Sequence, residues 1–404
     1  MNLVRDIAGA VTVVLPDGLL DAQEKSQLAK RLHELLGGYS LGPNRVLLEH
    51  ADLINAEDIL NSPYRVQVPD EEDIYLIDRL LTNQEWLGKP MTDALPLPTA
   101  AVFSIKGGVG RSTALAAWAW SLARQGKRVL VIDLDLEAPG ISSLLLDKLP
   151  KYGLVDWLVE SLANQANEAL LDDMLLDSPL NQECDGVIQV IPAYGNKTLD
   201  YVAKLGRVYV PTMDAQGTLF GLAQRLNALL HTVAKRLSPP DVVLLDTRAG
   251  LHDIGAAVLS QLPTKVLLFA RDEQQTWEAY EHLFHHLRQA HSVEWGMPDW
   301  DLRWRLKMVA AQLGGSQGDV DLAIGASYRV WTEFYDESSA GKDLLGQSFQ
   351  EFDEAAPHFP IPVYHETLLA RKSLIDPAQR PPWEVVERAF GHFTTKATEW
   401  VLSP

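Results

Sequence analysis

Short apolar runs alternate with longer amphipathic stretches from about residue 99 onward. Ala101-Val102-Phe103-Ser104-Ile105, Arg128 to Asp133, Val187 to Pro192, Asp241 to Asp246, Thr264 to Ala270, Arg303 to Leu313 and Phe359 to Tyr364 all have strand length. Several carry four consecutive apolar residues, the pattern of strands buried on both faces. Between them, Ser112 to Arg124, Gly153 to Leu175, Leu219 to Leu237, a segment ending at Gln289 and Pro381 to Val401 read as helices, while Tyr194 to Gly217 is irregular. Strands alternating with helices predict an α/β fold with a doubly wound, mainly parallel sheet. Before residue 99 the pattern changes. Ala22 to Leu36 predicts an amphipathic helix ending at Gly37-Gly38, Asp73 to Leu87 a second helix, and Arg45 to Leu48 a strand or helix start. The expected organisation is a small α or α+β module over residues 1–87, a proline-rich linker over 88–98 and an α/β domain over 99–404.

Chemistry is concentrated where the first strand of the larger domain meets its helix. Lys106-Gly107-Gly108-Val109-Gly110-Arg111-Ser112-Thr113 links them, and the next strand ends in Asp133, followed by Asp135. Glycines in such a loop let backbone N–H groups turn toward an anion, and the helix start adds its positive dipole end. The loop is therefore a candidate phosphate cradle, in which Ser112 offers a hydroxyl to Mg²⁺ and Thr113 a second near the α-phosphate. A second strand ends in an acid at Asp246 and runs into Thr247-Arg248-Ala249-Gly250. That is the arrangement in which an acid holds Mg²⁺ through its waters and a glycine N–H senses a terminal phosphate.

These two segments resemble the MinD/ParA-type ATPases with a deviant Walker A motif, K-G-G-x-G-K-[ST]-T. The resemblance covers roughly Thr99 to Ser373. It implies a P-loop NTPase fold, ATP and Mg²⁺ as ligands, and slow hydrolysis to ADP and phosphate by an ATP-bridged homodimer. Within it Lys106 stands at the signature lysine that reaches a partner subunit's phosphates. The cradle runs through Gly107, Gly108, Val109, Gly110, Arg111, Ser112 and Thr113; Ser112 and Asp246 hold Mg²⁺; and Asp135 orients water or touches the metal through water. Gly250 faces the γ-phosphate, while Gln312 and Pro362 stand near the places that flank the base. Arg111 departs from the pattern, because the family has a lysine there; arginine is always charged and forks onto two oxygens, and the two are not interchangeable.

Composition narrows the functional classes. The 404 residues carry a formal charge of −19, which argues against an extended basic face for DNA or anionic lipid. The segment Met1 to Ala100 is itself acidic, with 16 Asp/Glu against 8 Lys/Arg, including the run Asp70-Glu71-Glu72-Asp73. A single cysteine, Cys184, excludes a disulfide framework and a cysteine-ligated cluster. No long uncharged apolar stretch or signal-like start is evident, so a cytoplasmic protein is expected. The reading that emerges is a switch ATPase acting on a protein partner, within a multi-component bacterial system and through the N-terminal module. A non-hydrolysing nucleotide-bound scaffold and a DNA-partition ATPase are the alternatives.

Overall fold

The computed structural model describes residues 1–62, 64–68, 71–80, 82–213, 219–291, 302–335, 349–366 and 373–402. Asp70 and residues 214–217, which belong to two of the segments singled out above, lie outside them. The chain divides into two compact units, Met1–Lys89 and Pro90 onward.

In the first unit, strands β1 (Asn2–Arg5), β2 (Val11–Leu15), β3 (Leu47–Glu49), β4 (Arg65–Gln67) and β5 (Tyr75–Asp78) form one sheet in the order β3-β2-β1-β5-β4. Helix α1 (Ala22–Leu36) begins where its sequence says it should. The Asp21 carboxylate accepts from the N–H groups of Gln23 and Glu24, and Glu24 accepts in return from the Asp21 N–H. Its apolar side packs with Val13, Leu15, Val46 and Leu47, while Val4, Val14, Ile77 and Ile59 of the short helix α2 (Glu57–Leu60) form a second core.

Asp73 to Leu87 does not form the expected helix. Tyr75–Asp78 lies parallel to β1, and only Gln84–Leu87 makes a 3₁₀ turn. Asp73 and Asn83 adopt left-handed backbone on either side, and Ile77 reaches the core through the period-two alternation of a strand.

In the second unit, β6 (Thr99–Ser104), α3 (Arg111–Arg124) and β7 (Arg128–Asp133) form the anticipated βαβ element. There follow α4 (Ile141–Leu145), α5 (Leu154–Glu160), α6 (Glu168–Met174), β8 (Leu176–Asp177), β9 (Val187–Ile191) and α7 (Tyr201–Val208). A small antiparallel pair, β10 (Thr212–Met213) and β11 (Leu219–Phe220), precedes α8 (Leu222–Ala234), β12 (Val242–Asp246) and α9 (Asp253–Ala256). The remainder is β13 (Lys265–Ala270), α10 (Gln274–His291), α11 (Leu302–Arg305), β14 (Leu306–Leu313), α12 (Gln317–Tyr335), β15 (Ile361–Tyr364) and α13 (Trp383–Leu402). Three boundaries depart from the sequence pattern. Asn164, in left-handed backbone, separates α5 from α6; Gly221 starts α8 later than expected; and the stretch read as irregular contains α7.

The eight-stranded sheet runs β15-β14-β13-β6-β12-β7-β9-β8. All its pairings are parallel except β8 with β9. Every residue of β6 and β12 is buried, as strands covered on both faces require. Pro362 sits on the edge strand β15, where a missing N–H costs no ladder bond to a further strand. Helix α13 closes one face of the sheet, with Phe393 between Trp118 and Phe269 at ring-centroid distances of 5.9 and 5.6 Å.

Candidate phosphate site

The glycine loop joins the carboxyl end of β6, a central strand, to the start of α3. Gly108 and Gly110 have φ of +73° and +85°, the left-handed region that a side chain resists. The loop is tightened by the Ser104 hydroxyl, which donates to the Lys106 carbonyl at 2.7 Å. Gly107 and Gly108 are exposed, Val109 is buried, and Ser112 and Thr113 are half-buried in the first turn of α3. In that turn the N–H groups precede the first intrahelical bond and stay open to an anion.

Three acids gather beside this loop. Asp133 and Asp246 are register neighbours at the ends of β7 and β12, and Asp135 follows two residues after Asp133. Asp246 is fully buried, and neither carboxylate oxygen has a partner at hydrogen-bond distance, although the Ser112 hydroxyl and Arg111 guanidinium stand close enough to favour its charged form. Burial pushes its pKa up to about 6, against the pull of the nearby Arg111 guanidinium. Burial, and then the Asp246 charge, hold Asp133 well above the ordinary carboxylate range; burial also raises Asp135. Orphaned oxygens of this kind, next to a helix-start serine, fit a hydrated Mg²⁺ completed by phosphate oxygens. Among the described residues no group of three or more His, Cys, Asp or Glu forms a metal cage, so such an ion would depend on the ligand for part of its shell.

Arg111 occupies the middle of the acid group. Only 7% exposed, it donates to the Ser104 hydroxyl and places nitrogens 3.7 Å from an Asp246 oxygen and 3.8 Å from an Asp135 oxygen. Lys106 turns to the loop after β13, with Nζ 3.3 Å from Glu273 and donating to Gln275 at 2.9 Å. Gln312, itself in left-handed backbone beside a register shift in β14, donates to the Gly108 carbonyl at 2.7 Å. The Gly250 N–H donates to the Ser104 carbonyl at 2.9 Å, so in this conformation it is already engaged. Lys106, Arg111, Asp135, Asp246, Gly250 and Gln312 thus border the loop, whereas Pro362 lies two strands from β13 on the sheet edge.

Sequence reasoning missed the supports of the loop after β7. Glu137 forms an ion pair with Arg248 at 3.2 Å, joining that loop to the one after β12. From the other side Tyr201 donates to the Leu136 carbonyl and Tyr209 donates to Glu137. Burial raises both phenols, so they stay protonated donors. Their eight-residue spacing places the two tyrosines on one helical face, the only trace of this arrangement in the sequence.

A glycine loop between a central strand and a helix, with a buried acid ending the neighbouring strand, defines a P-loop nucleotide-binding fold. Residues 100–275 match the family model of the CobQ/CobB/MinD/ParA nucleotide binding domain. Among solved structures the chain is similar to a ParA family ATPase from Chlorobium tepidum, at 16% identity over 76% of this chain and 99% of that one, TM-score 0.44. It is also similar to pNOB8 ParA bound to nonspecific DNA, at 16% identity over 75% and 97%, TM-score 0.43. A third is cobyrinic acid a,c-diamide synthase from Mycobacterium smegmatis with an ATP analogue and magnesium, at 17% identity over 75% and 96%, TM-score 0.43. No curated protein matches the sequence. Among the described residues no helix is long and apolar enough to cross a membrane.

Proposed function

We propose that the protein binds ATP with Mg²⁺, hydrolyses it slowly, and uses the bound state to form a homodimer that engages a protein partner. The carrying observation is the orphaned, buried Asp246 carboxylate beside the glycine loop. In this reading the loop N–H groups, Arg111 and Thr113 take the phosphates, Ser112 and Asp246 hold Mg²⁺, and Asp135 orients water. Mg²⁺ would neutralise charge developing on the phosphates. Gly250 must leave the Ser104 carbonyl before its N–H can meet a γ-phosphate, which makes the loop after β12 the element that reads nucleotide state. Lys106 is exposed enough to leave Glu273 and Gln275 for a partner subunit's phosphates. Acidic in composition, the N-terminal unit exposes Leu35, Tyr39 and Leu41 in close succession, which supports a role in partner contact.

Light-scattering mass with Mg-ATP, Mg-ADP and no nucleotide, read alongside phosphate release, tests this proposal. A dimer seen only with ATP, with slow turnover, is expected. Lys106→Ala should lower turnover roughly 10³-fold, by analogy with loss of a trans arginine finger, and an unchanged rate removes the lysine from the mechanism. One observation favours the scaffold reading instead: Arg111 lies on Asp135, the acid assigned to water. Nucleotide retention with no turnover and a mass indifferent to nucleotide would select it.

A further inference from the structure

We propose that Arg111 is a tethered cation. With no nucleotide present it supplies the positive charge between Asp246 and Asp135, so that a divalent ion joins the site only together with a nucleotide whose phosphates draw the guanidinium away. The inference deepens the ATP-binding reading and rests on it.

The geometry carries the argument in three parts. The guanidinium is anchored from behind by the Ser104 hydroxyl and stands within ion-pair distance of both acids. Neither Asp246 oxygen receives a hydrogen bond, and Arg111 Nε makes none. At 3.7 Å the contact between them is longer than the short bidentate bonds of a permanent structural pair, and phosphate oxygens can outcompete it. The side chain also springs from the first residue of α3, directly after the loop that would hold the phosphates, so a small swing carries it from the acids to the ligand. The planar guanidinium spreads its charge over three nitrogens and can bond Ser104 while facing two acids, where a lysine ammonium is a compact point charge.

The consequence is an order of events. A divalent ion alone meets a site already neutralised, whereas phosphates give the guanidinium a better partner and leave Asp246 and Ser112 to the metal. Binding of metal and nucleotide becomes interdependent, as linkage requires when one group must leave before another enters.

The test uses Mn²⁺ as probe and the full chain without nucleotide, following the loss of the free-ion electron paramagnetic resonance signal. Wild type should bind Mn²⁺ weakly, and Arg111→Gln should bind it at least about tenfold more tightly because one buried positive charge is gone. Adding Asp246→Asn to Arg111→Gln should abolish the gain and so locate the ion. If Arg111→Gln fails to fold, Ser104→Ala, which loosens the guanidinium and keeps its charge, should show a smaller gain of the same sign. Equal Mn²⁺ affinity in wild type and variants overturns the proposal, and so does tight Mn²⁺ binding by nucleotide-free wild type. Calorimetric titration of wild type with Mg-ATP tests the ATP reading separately. Absence of ATP binding with the Mn²⁺ difference intact would remove that reading and leave the tethered cation in place.

Discussion

Two cations, Arg111 buried and Lys307 half-buried, illustrate how differently this chain treats a charged side chain drawn from water. Arg111 is held among acids, whereas Lys307 on β14 donates to the carbonyls of Ala356 and Glu354, at 2.6 and 3.4 Å. Burial pushes the Lys307 pKa down to about 8 from the ordinary 10.5. The sign of the pH effect follows. Between those two values the unfolded chain binds a proton that the folded chain has released, so stability contributed by this site rises with pH across the window. Lys307→Met removes the dependence. Measured by urea unfolding at pH 7.5 and 9.5, wild type should gain about 2 kcal/mol relative to the variant over that interval, and a flat difference would show that the ammonium stays charged in the fold. Legibility at this scale was uneven. The glycines, Lys106, Ser112 and Asp246 could be placed from local sequence alone because each sits within a few residues of a strand end. The pairing of Arg111 with Asp135 and Asp246 could not, since it joins three segments separated by up to 135 positions along the chain.

Elements differ in how strongly their own sequence dictates them. Central strands β6 and β12 are buried on both faces and announce themselves as unbroken apolar runs, and the helix α1 carries its own capping residues. β5 had neither signal: Ile74-Tyr75-Leu76-Ile77 suits a helix or a strand, and only pairing with β1 decides. Helix α7 was hidden for a related reason: Tyr201 at its start and Tyr209 just past its end meet the loop after β7, a tertiary fact. Helix α13 lies at the legible end, with its aromatic stripe meeting α3 and β13. Phe393 is fully buried there between Trp118 and Phe269, and Trp118 is itself fixed by an indole bond to the Thr398 hydroxyl at 2.8 Å. Phe393→Ala should cost about 3–5 kcal/mol, visible as a lower urea midpoint with an unchanged slope. A cost below about 1 kcal/mol would mean that the face closes over the cavity or that α13 contributes little to the core.

At the scale of the whole molecule, the described apolar side chains form cores within each of the two units. Among the described residues, the clusters around Val13 and Val4 draw on residues before Lys89, and the large cluster around α3 and the eight-stranded sheet draws on residues after it. A unit of this size with helices packed on its own sheet buries enough surface to fold without help, though with a modest margin. The fragment Met1–Lys89 should therefore give dispersed amide resonances and a cooperative urea transition by itself. Residues 90–404 should keep the wild-type affinity for Mg-ATP, because every residue placed at the phosphate site lies beyond Pro90. The partner-binding role proposed for the N-terminal unit then becomes separable: its removal should abolish partner engagement while leaving nucleotide-dependent mass and phosphate release within about twofold of the full chain, a difference under 0.5 kcal/mol. A fragment 90–404 that folds, by circular dichroism, and yet no longer binds nucleotide would refute that separation and make the first unit part of the nucleotide machinery.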